Sequence, residues 1–430
     1  MRYIIITLGC KVNQYDSQAM EQLLRADGHV PAEPGTTADA VIVNTCAVTA
    51  EGARKARQAI RRVRAENPQA VLAVCGCFSQ TAPEEVRELG ADLVYGSGDR
   101  AGLVAELVHT VEQGGIPAFR ELPGDARGTR NFEKLPAGAS EGRTRAYLKI
   151  QDGCDNYCAY CIIPYARGHV RSLPVADCAA LVAQLASQGY RELVITGIEI
   201  ASYGRDLPGH PTLLDAVEAM ALAAPEVRLH LGSLEPRVVT QDFCERLSKL
   251  SVCSHFHLSL QSGCDETLQR MKRRYDTARF MESVKLLRKY FPGCGLTADL
   301  IVGFPGETEE EFEKTLSFVE ECAFSSMHIF PYSRREGTRA ASLPDQLTRA
   351  VKTARAARAQ RLAAEMERQY LDSCIGRVLS VLFETESDGM CVGHGENYCE
   401  VAAAGKGFRG LVRNVEINGT QGEMLVGVCI

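Results

Sequence analysis

No run of about 18 apolar residues occurs in this chain, so a helical membrane span is not expected. Its first residues, Met1-Arg2-Tyr3-Ile4-Ile5-Ile6-Thr7, hold too short an apolar stretch for a secretory leader. Positive charge is not in excess either. With a formal net charge of -6, any affinity for a polyanion must come from local basic patches and not from the overall field. What remains is an ordinary soluble composition, 45% hydrophobic and 24% charged, on a chain of 430 residues, enough for two or three domains. The expected location is cytoplasmic. Cysteine is the one residue type in clear excess. There are 17, an odd number, and in a reducing compartment they read as metal ligands sooner than as a disulfide framework.

Three of them, in Cys154-Asp155-Asn156-Tyr157-Cys158-Ala159-Tyr160-Cys161, form a C-x3-C-x2-C spacing within one loop. Three thiolates hold an iron–sulfur cube and leave its fourth iron open to a substrate or cofactor. A structural zinc site is disfavoured because no fourth Cys or His has suitable spacing. The bland alternative is three unrelated cysteines in a turn. This spacing, with its interleaved aromatics, resembles the signature of the radical S-adenosylmethionine (SAM) enzymes.

In the N-terminal third, short β-rich runs at 3–7, 40–45 and 71–76 alternate with helical patterns. One helix is expected to start near Asp16 or Ser17 and end at Gly28, and another to run from Glu51 to Glu66. This alternation suggests a small parallel doubly wound domain. Cys10, Cys46 and Cys77 each fall just past a strand's C-terminal end, the edge where ligands bind in such sheets. They form either a second three-thiolate site or ordinary small buried side chains. Cys75 lies inside its strand and is expected to face elsewhere.

The stretch 112–143 is rich in Gly, Pro and charge and reads as a linker. Six strand candidates follow, at 147–153, 192–197, 227–233, 255–262, 296–305 and 325–333, separated by helical patterns such as Pro174 to Gln188 and Thr308 to Cys322. Such a series favours a partial (β/α)6 barrel of the TIM type, whose chemistry sits at the C-terminal strand ends. Thr348 to Tyr370 is an Ala-rich helical pattern with Arg349, Lys352, Arg355, Arg358 and Arg361 at every third position. On a 3.6-residue helix they wind around the cylinder, either as a solvated surface or as a phosphate-tracking stripe. From Asp372 onward, short β runs with Gly turns suit a small OB-like β-barrel, of a kind that often binds single-stranded nucleic acid. A purely structural β-cap is the alternative, and the tail is poor in stacking aromatics.

Several segments together resemble the radical SAM methylthiotransferase family. In the N-terminal third they are Leu8-Gly9-Cys10-Lys11-Val12-Asn13-Gln14, Asn44-Thr45-Cys46 and Gly76-Cys77-Phe78-Ser79-Gln80, the last departing from the family's usual GCYAQ. In the central region they are Tyr147 to Cys154, Ile163 to Gly168, Leu258 to Gly263, Asp299 to Thr308 and Pro331 to Thr338. Gly393-His394-Gly395-Glu396-Asn397-Tyr398 resembles the TRAM domain, an RNA-binding module of tRNA-modifying enzymes. The resemblance implies four regions: a methylthiotransferase domain at 1–111, the linker at 112–143, a radical SAM domain at 144–371 and a TRAM-like domain at 372–430.

It also implies two 4Fe-4S clusters and SAM as cofactors. Cys154, Cys158 and Cys161 would ligate the cluster that binds SAM and cleaves it to a radical, and Cys10, Cys46 and Cys77 an auxiliary cluster that presents sulfur. A second SAM methylates that sulfur. A cofactor-derived radical is needed because no side-chain acid or base breaks the unactivated C2–H bond of adenine. Gly197, Ser233, Glu235 and Gln261 become SAM-contact candidates, with a turn glycine and backbone-satisfying polar residues as the alternative. Arg167 and Arg335 fit either a carboxylate or phosphate contact or a solvated surface, and His257 and His328 read as core histidines. No catalytic residue is expected beyond the cluster cysteines.

The first motif, CKVNQYDS, looks like the threonylcarbamoyladenosine type of the family; the isopentenyladenosine type tends to read CQMN and the ribosomal-protein type CPKN. The expected partners are therefore tRNA, at adenosine 37 of the anticodon loop, and a reducing donor such as a flavodoxin or ferredoxin. Isopentenyladenosine and ribosomal protein S12 are the alternative substrates. A non-catalytic, RNA-binding iron–sulfur redox sensor is the alternative of a different class.

Overall fold

The computed structural model describes residues 1–33, 35–114, 124–138 and 144–430. Its N-terminal region is a five-stranded, wholly parallel sheet in the order Val30–Pro31, Arg2–Thr7, Ala40–Thr45, Val71–Gly76, Leu93–Val94. Strand residues alternate between its two faces, as the pleat requires. Val41, Val43, Leu72 and Val74 meet Ala53, Ala56 and Ile60 of the helix Ala50–Glu66 on one side. Ala40, Ile42 and Ala73 meet Met20, Leu24, Leu103 and Leu107 on the other. Helices thus cover both faces of this α/β sheet, and two short strands form its edges.

The first helix differs from expectation. It spans Lys11–Ala26 with Cys10 as its N-cap, so it begins well before Asp16. Asp16 and Ser17 look like capping residues but are buried on the helix's inner side, where Asp16 meets cations of the central region. The second helix opens at Ala50, capped by the Thr49 side chain on the Gly52 amide.

The central region carries six parallel strands in chain order. Arg145–Lys149, Glu192–Thr196 and Arg228–Leu231 form one three-stranded sheet, and His255–Gln261, Gly295–Val302 and Ser326–Pro331 another. Parallel bridges at Leu229–Val252 and Leu234–Leu258 link the third strand to the fourth. Intervening helices such as Val175–Ser187, Thr277–Tyr290 and Glu309–Cys322 cover this run, and one large core fills the space between. Of the expected linker, 112–114 ends the helix Arg100–Glu112, and 124–138 lies against the central region: Leu135 and Ala137 are buried in its core and the Tyr15 hydroxyl donates to the Leu135 carbonyl. The rest of that stretch, 115–123 and 139–143, falls outside the described residues.

The helix Arg349–Ser373 leads into a closed five-stranded barrel in the order Val378–Ser387, Met390–Gly395, Glu400–Ala404, Met424–Cys429, Val412–Gln421. The arginines of that helix do not form a free stripe. Arg355 is buried against Glu307, at 2.7 Å, and Glu309, and Arg358 pairs with Glu309 and Glu313. The barrel docks on the starts of the central strands: Arg145 reaches Glu384 at 2.9 Å, and Arg228 donates to the Ser380 and His394 carbonyls. Among the described residues no helix is long and apolar enough to cross a membrane.

Candidate active site

Cys10, Cys46 and Cys77 stand at the C-terminal ends of three adjacent strands, because the register sets Thr7 beside Asn44 and Thr45 beside Gly76. The turns leave no spare room. Gly9, at φ +96°, has its missing Cβ position 2.7 Å from the Cys46 sulfur, so a side chain there would strike the thiol. Asn13 holds the turn together by donating to the Leu8 and Thr45 carbonyls at 2.8 and 2.9 Å. Cys75 points into the opposite core, as its place inside the strand suggests.

Burial, with Cys77 close by, pushes the Cys46 thiol up to about 11. Burial likewise raises Cys10 and Cys154, and takes Cys161 up to about 12, with Cys158 and then Cys77 among the charges it feels. Cys154 and Cys161 also pack against the apolar cluster that holds Cys77, which brings the loop trio and the strand-end trio together. Backbone amides of Val12 and Asn13 point at Cys10, that of Val48 at Cys46, Asn156 at Cys154 and Ile163 at Cys161. Amide donors of this kind stabilise thiolates.

Neither trio has all three sulfurs within 4.8 Å of one another, whereas Glu192, His230 and Cys253 do have ligand atoms that close. Three thiolates on separate corners of a cube stand farther apart than three ligands on one ion, so the donor sets fit iron–sulfur cubes better than single ions. The Glu192 group is an unpromising metal site despite its spacing, because Arg228 at 2.7 Å and Arg145 at 3.6 Å already neutralise its carboxylate.

Sequence reading left Arg167 between a carboxylate or phosphate contact and a solvated surface; the carboxylates it meets are the protein's own. It is fully buried, donates to the Cys77 sulfur at 3.4 Å and to Asn13 at 2.6 Å, and pairs with Asp152 at 3.0 Å and Asp16 at 3.3 Å. Lys149 joins Asp16 at 2.6 Å, and Arg100 approaches the same carboxylate at 3.5 Å. Burial alone pushes Asp16 up, but Lys149, Arg167 and Arg100 more than offset it and hold Asp16 below the usual carboxylate range. Arg335 is half-buried close enough to Cys46 to feel its charge, and its Nε has no hydrogen-bond partner.

The SAM-contact candidates divide. Gly197 is required by packing, since a Cβ there would lie 2.9 Å from the Gln151 carbonyl. Glu235 is buried and held by Arg237 at 2.8 Å, while Ser233 is exposed on a cavity wall. Gln261 is buried, at φ +66° beside a register shift in its strand. Two neighbours gave no motif signal. Glu199 accepts from Asn156 of the cysteine loop at 2.7 Å, and burial followed by nearby Glu235 raises its pKa. Arg273 donates to the Cys158 sulfur at 3.2 Å.

A cavity of about 880 Å³ opens between the three regions. Cys10 and Lys11 wall it on one side, His255, His257, Thr297, Asp299 and His328 line the central strands, and His394 and Tyr398 come from the C-terminal barrel. Tyr398 stacks on His255 with ring centroids 4.7 Å apart. His230, His255, Thr297, His257 and Asp299 form a chain of polar contacts from 2.7 to 3.2 Å. His257 and His328 are thus cavity residues and not part of the apolar core.

The radical SAM superfamily model matches residues 148–319, and a family described as uncharacterized, UPF0004, matches residues 2–96. The threonylcarbamoyladenosine tRNA methylthiotransferase MtaB of Bacillus subtilis (strain 168) is 38% identical, over 93% of this chain and 89% of that protein. A tRNA-2-methylthio-N(6)-dimethylallyladenosine synthase of Pelotomaculum thermopropionicum is 32% identical, over 90% of this chain and 87% of that protein. Among solved structures, the radical SAM methyltransferase TsrM of Kitasatospora setae, with cobalamin and a [4Fe-4S] cluster bound, shares the fold. Its TM-score is 0.59 at 14% identity, covering 91% of this chain and 80% of that one. With three strand-end cysteines beside a C-x3-C-x2-C loop and relatives matched along nearly its whole length, the chain belongs to the radical SAM methylthiotransferase family.

Proposed function

We propose that this protein converts N6-threonylcarbamoyladenosine at position 37 of tRNA to its 2-methylthio derivative, using two 4Fe-4S clusters and SAM. The carrying observation is that Cys154 and Cys161 of the loop pack against the cluster that holds Cys77, while Cys10 of the same strand-end trio lines a cavity of nucleoside size. The names of the relatives and the CKVN motif support this substrate over isopentenyladenosine or ribosomal protein S12. When bound, the clusters and SAM supply the radical and the sulfur that no side chain provides.

The protein's own residues do the holding. Cys154, Cys158 and Cys161 would ligate one cluster, with Arg273 donating to the Cys158 sulfur. Cys10, Cys46 and Cys77 would ligate the other, with Arg167 donating to the Cys77 sulfur. Glu199 accepts from Asn156 of the cysteine loop and feels the Glu235 carboxylate, a repulsion that a cationic ligand such as SAM would relieve. Of the four SAM candidates we retain Glu235, Ser233 and Gln261 as contacts and assign Gly197 to packing. The closed C-terminal barrel acts as the TRAM-like, OB-like RNA module, and the six-strand run as the partial TIM-type barrel. A flavodoxin- or ferredoxin-class protein supplies electrons.

Nucleoside analysis of tRNA from a deletion strain tests the substrate. The 2-methylthio nucleoside disappears and N6-threonylcarbamoyladenosine accumulates; unchanged tRNA would sink the reading.

A further inference from the structure

Among the described residues lining the central cavity, Lys11 is the one lysine or arginine, and burial followed by nearby Arg145 lowers its pKa. The carboxyl side chains in the same lining are Asp299, Glu367, Glu400 and Glu423. His255 is neutral, because burial and neighbouring basic groups push its pKa far down. A lysine in such surroundings ordinarily pairs with one of the carboxylates. Among the described residues Lys11 forms no ion pair within 4 Å, and its ammonium lies 5.8 Å from the centroid of the Tyr398 ring. Its backbone is anchored: Cys10 caps the helix that Lys11 opens, and Asn13 ties the same turn to Leu8 and Thr45. The cavity thus holds a free cation next to the first auxiliary cysteine.

An ammonium at this point does nothing for an adenosine carrying a hydrocarbon on N6. A threonylcarbamoyl group ends in a carboxylate, and in a cavity otherwise lined with acids that carboxylate needs a cation to replace its lost hydration. We propose that Lys11 is the specificity residue that binds the carboxylate of the N6-threonylcarbamoyl group. This rests on the substrate reading above. Lys11 follows Cys10 directly, so the same turn that holds the auxiliary site also holds the part of the substrate that distinguishes it. Sequence agrees with geometry, since the position is glutamine in the CQMN motif of the isopentenyladenosine type and proline in the CPKN motif. Tyr398, under the ammonium, steadies it by a cation–π contact.

The test uses full-length reconstituted protein and an anticodon stem-loop RNA carrying N6-threonylcarbamoyladenosine, either as the free acid or with its carboxylate capped as a methyl ester. Wild-type protein is expected to bind the acid roughly 10–100-fold more tightly than the ester, the range of a charge-assisted hydrogen bond. Lys11→Gln, which introduces the residue of the other tRNA-specific motif, should bind both RNAs alike, and Lys11→Arg should keep a preference for the acid. Equal binding of acid and ester by wild type overturns the proposal, as does full discrimination by Lys11→Gln. Failure of the substrate reading shows differently: wild type leaves the acid RNA without a methylthio group in a turnover assay, whatever its binding preference.

Discussion

The two cysteine trios are built in opposite ways. Cys154, Cys158 and Cys161 lie in one loop, so their convergence depends on local spacing and little else. Cys10, Cys46 and Cys77 meet only because three parallel strands pair in the right register. The local trio tolerates disturbance of the surrounding fold, whereas the assembled trio is as fragile as the sheet and the ion network beneath it. Arg167 makes that dependence physical, reaching from the central region to the Cys77 sulfur.

The sharpest separation of the trios is functional. About eight irons per chain are expected after anaerobic reconstitution. Cys46→Ala should abolish methylthio product and lose about half of that iron while still cleaving SAM to 5′-deoxyadenosine, and Cys158→Ala should abolish both activities. If Cys46→Ala lost SAM cleavage and Cys158→Ala kept it, the assignment of roles would be reversed. Next in size is Arg167→Met. Removing a buried guanidinium leaves Asp16 and Asp152 short of positive charge, at a cost of about 3–5 kcal/mol in urea unfolding. The auxiliary iron should suffer more than the loop iron; equal losses would break the comparison.

The smallest effect concerns acid stability where the C-terminal barrel docks. Burial pushes Glu192 up, but the His230 hydrogen bond and the Arg228 and Arg145 guanidiniums more than offset it and hold the carboxyl at about 2. Since this folded-state value lies below the unfolded one of about 4.3, its stabilisation is present above that pH and is lost as pH falls toward 2. Glu192→Gln should therefore lower stability near neutrality and flatten the acid limb between these values. An unchanged limb in pH-dependent unfolding would count against it.

Much of this was legible in the chain. The loop trio follows from spacing alone, and strands ending at cysteines predict one shared edge. The six central strands were readable because they are short apolar runs between well-punctuated helices. The misreadings have a common cause, which is that long-range partners override local grammar. Asp16 has the look of a helix start, yet its carboxylate is consumed by Lys149 and Arg167 from far along the chain. Arg355 reads as solvated until Glu307 is seen to bury it. His257 sits in an apolar-looking strand, but that strand faces a polar cavity. Glu199 and Arg273 belong to no motif, and only the folded loop brings them to the cysteines.

The Asp16 network also bears on how such a protein is inherited. One side of it, Asp16, Asn13 and Arg100, belongs to the N-terminal sheet domain, and the other, Lys149, Asp152 and Arg167, to the central region. Asp16 and Arg100 balance on the N-terminal side, but Lys149 and Arg167 against Asp152 leave the central side with an excess cation, so separating the regions is expected to cost stability even when every cysteine is retained. The N-terminal and central regions are therefore expected to be inherited together.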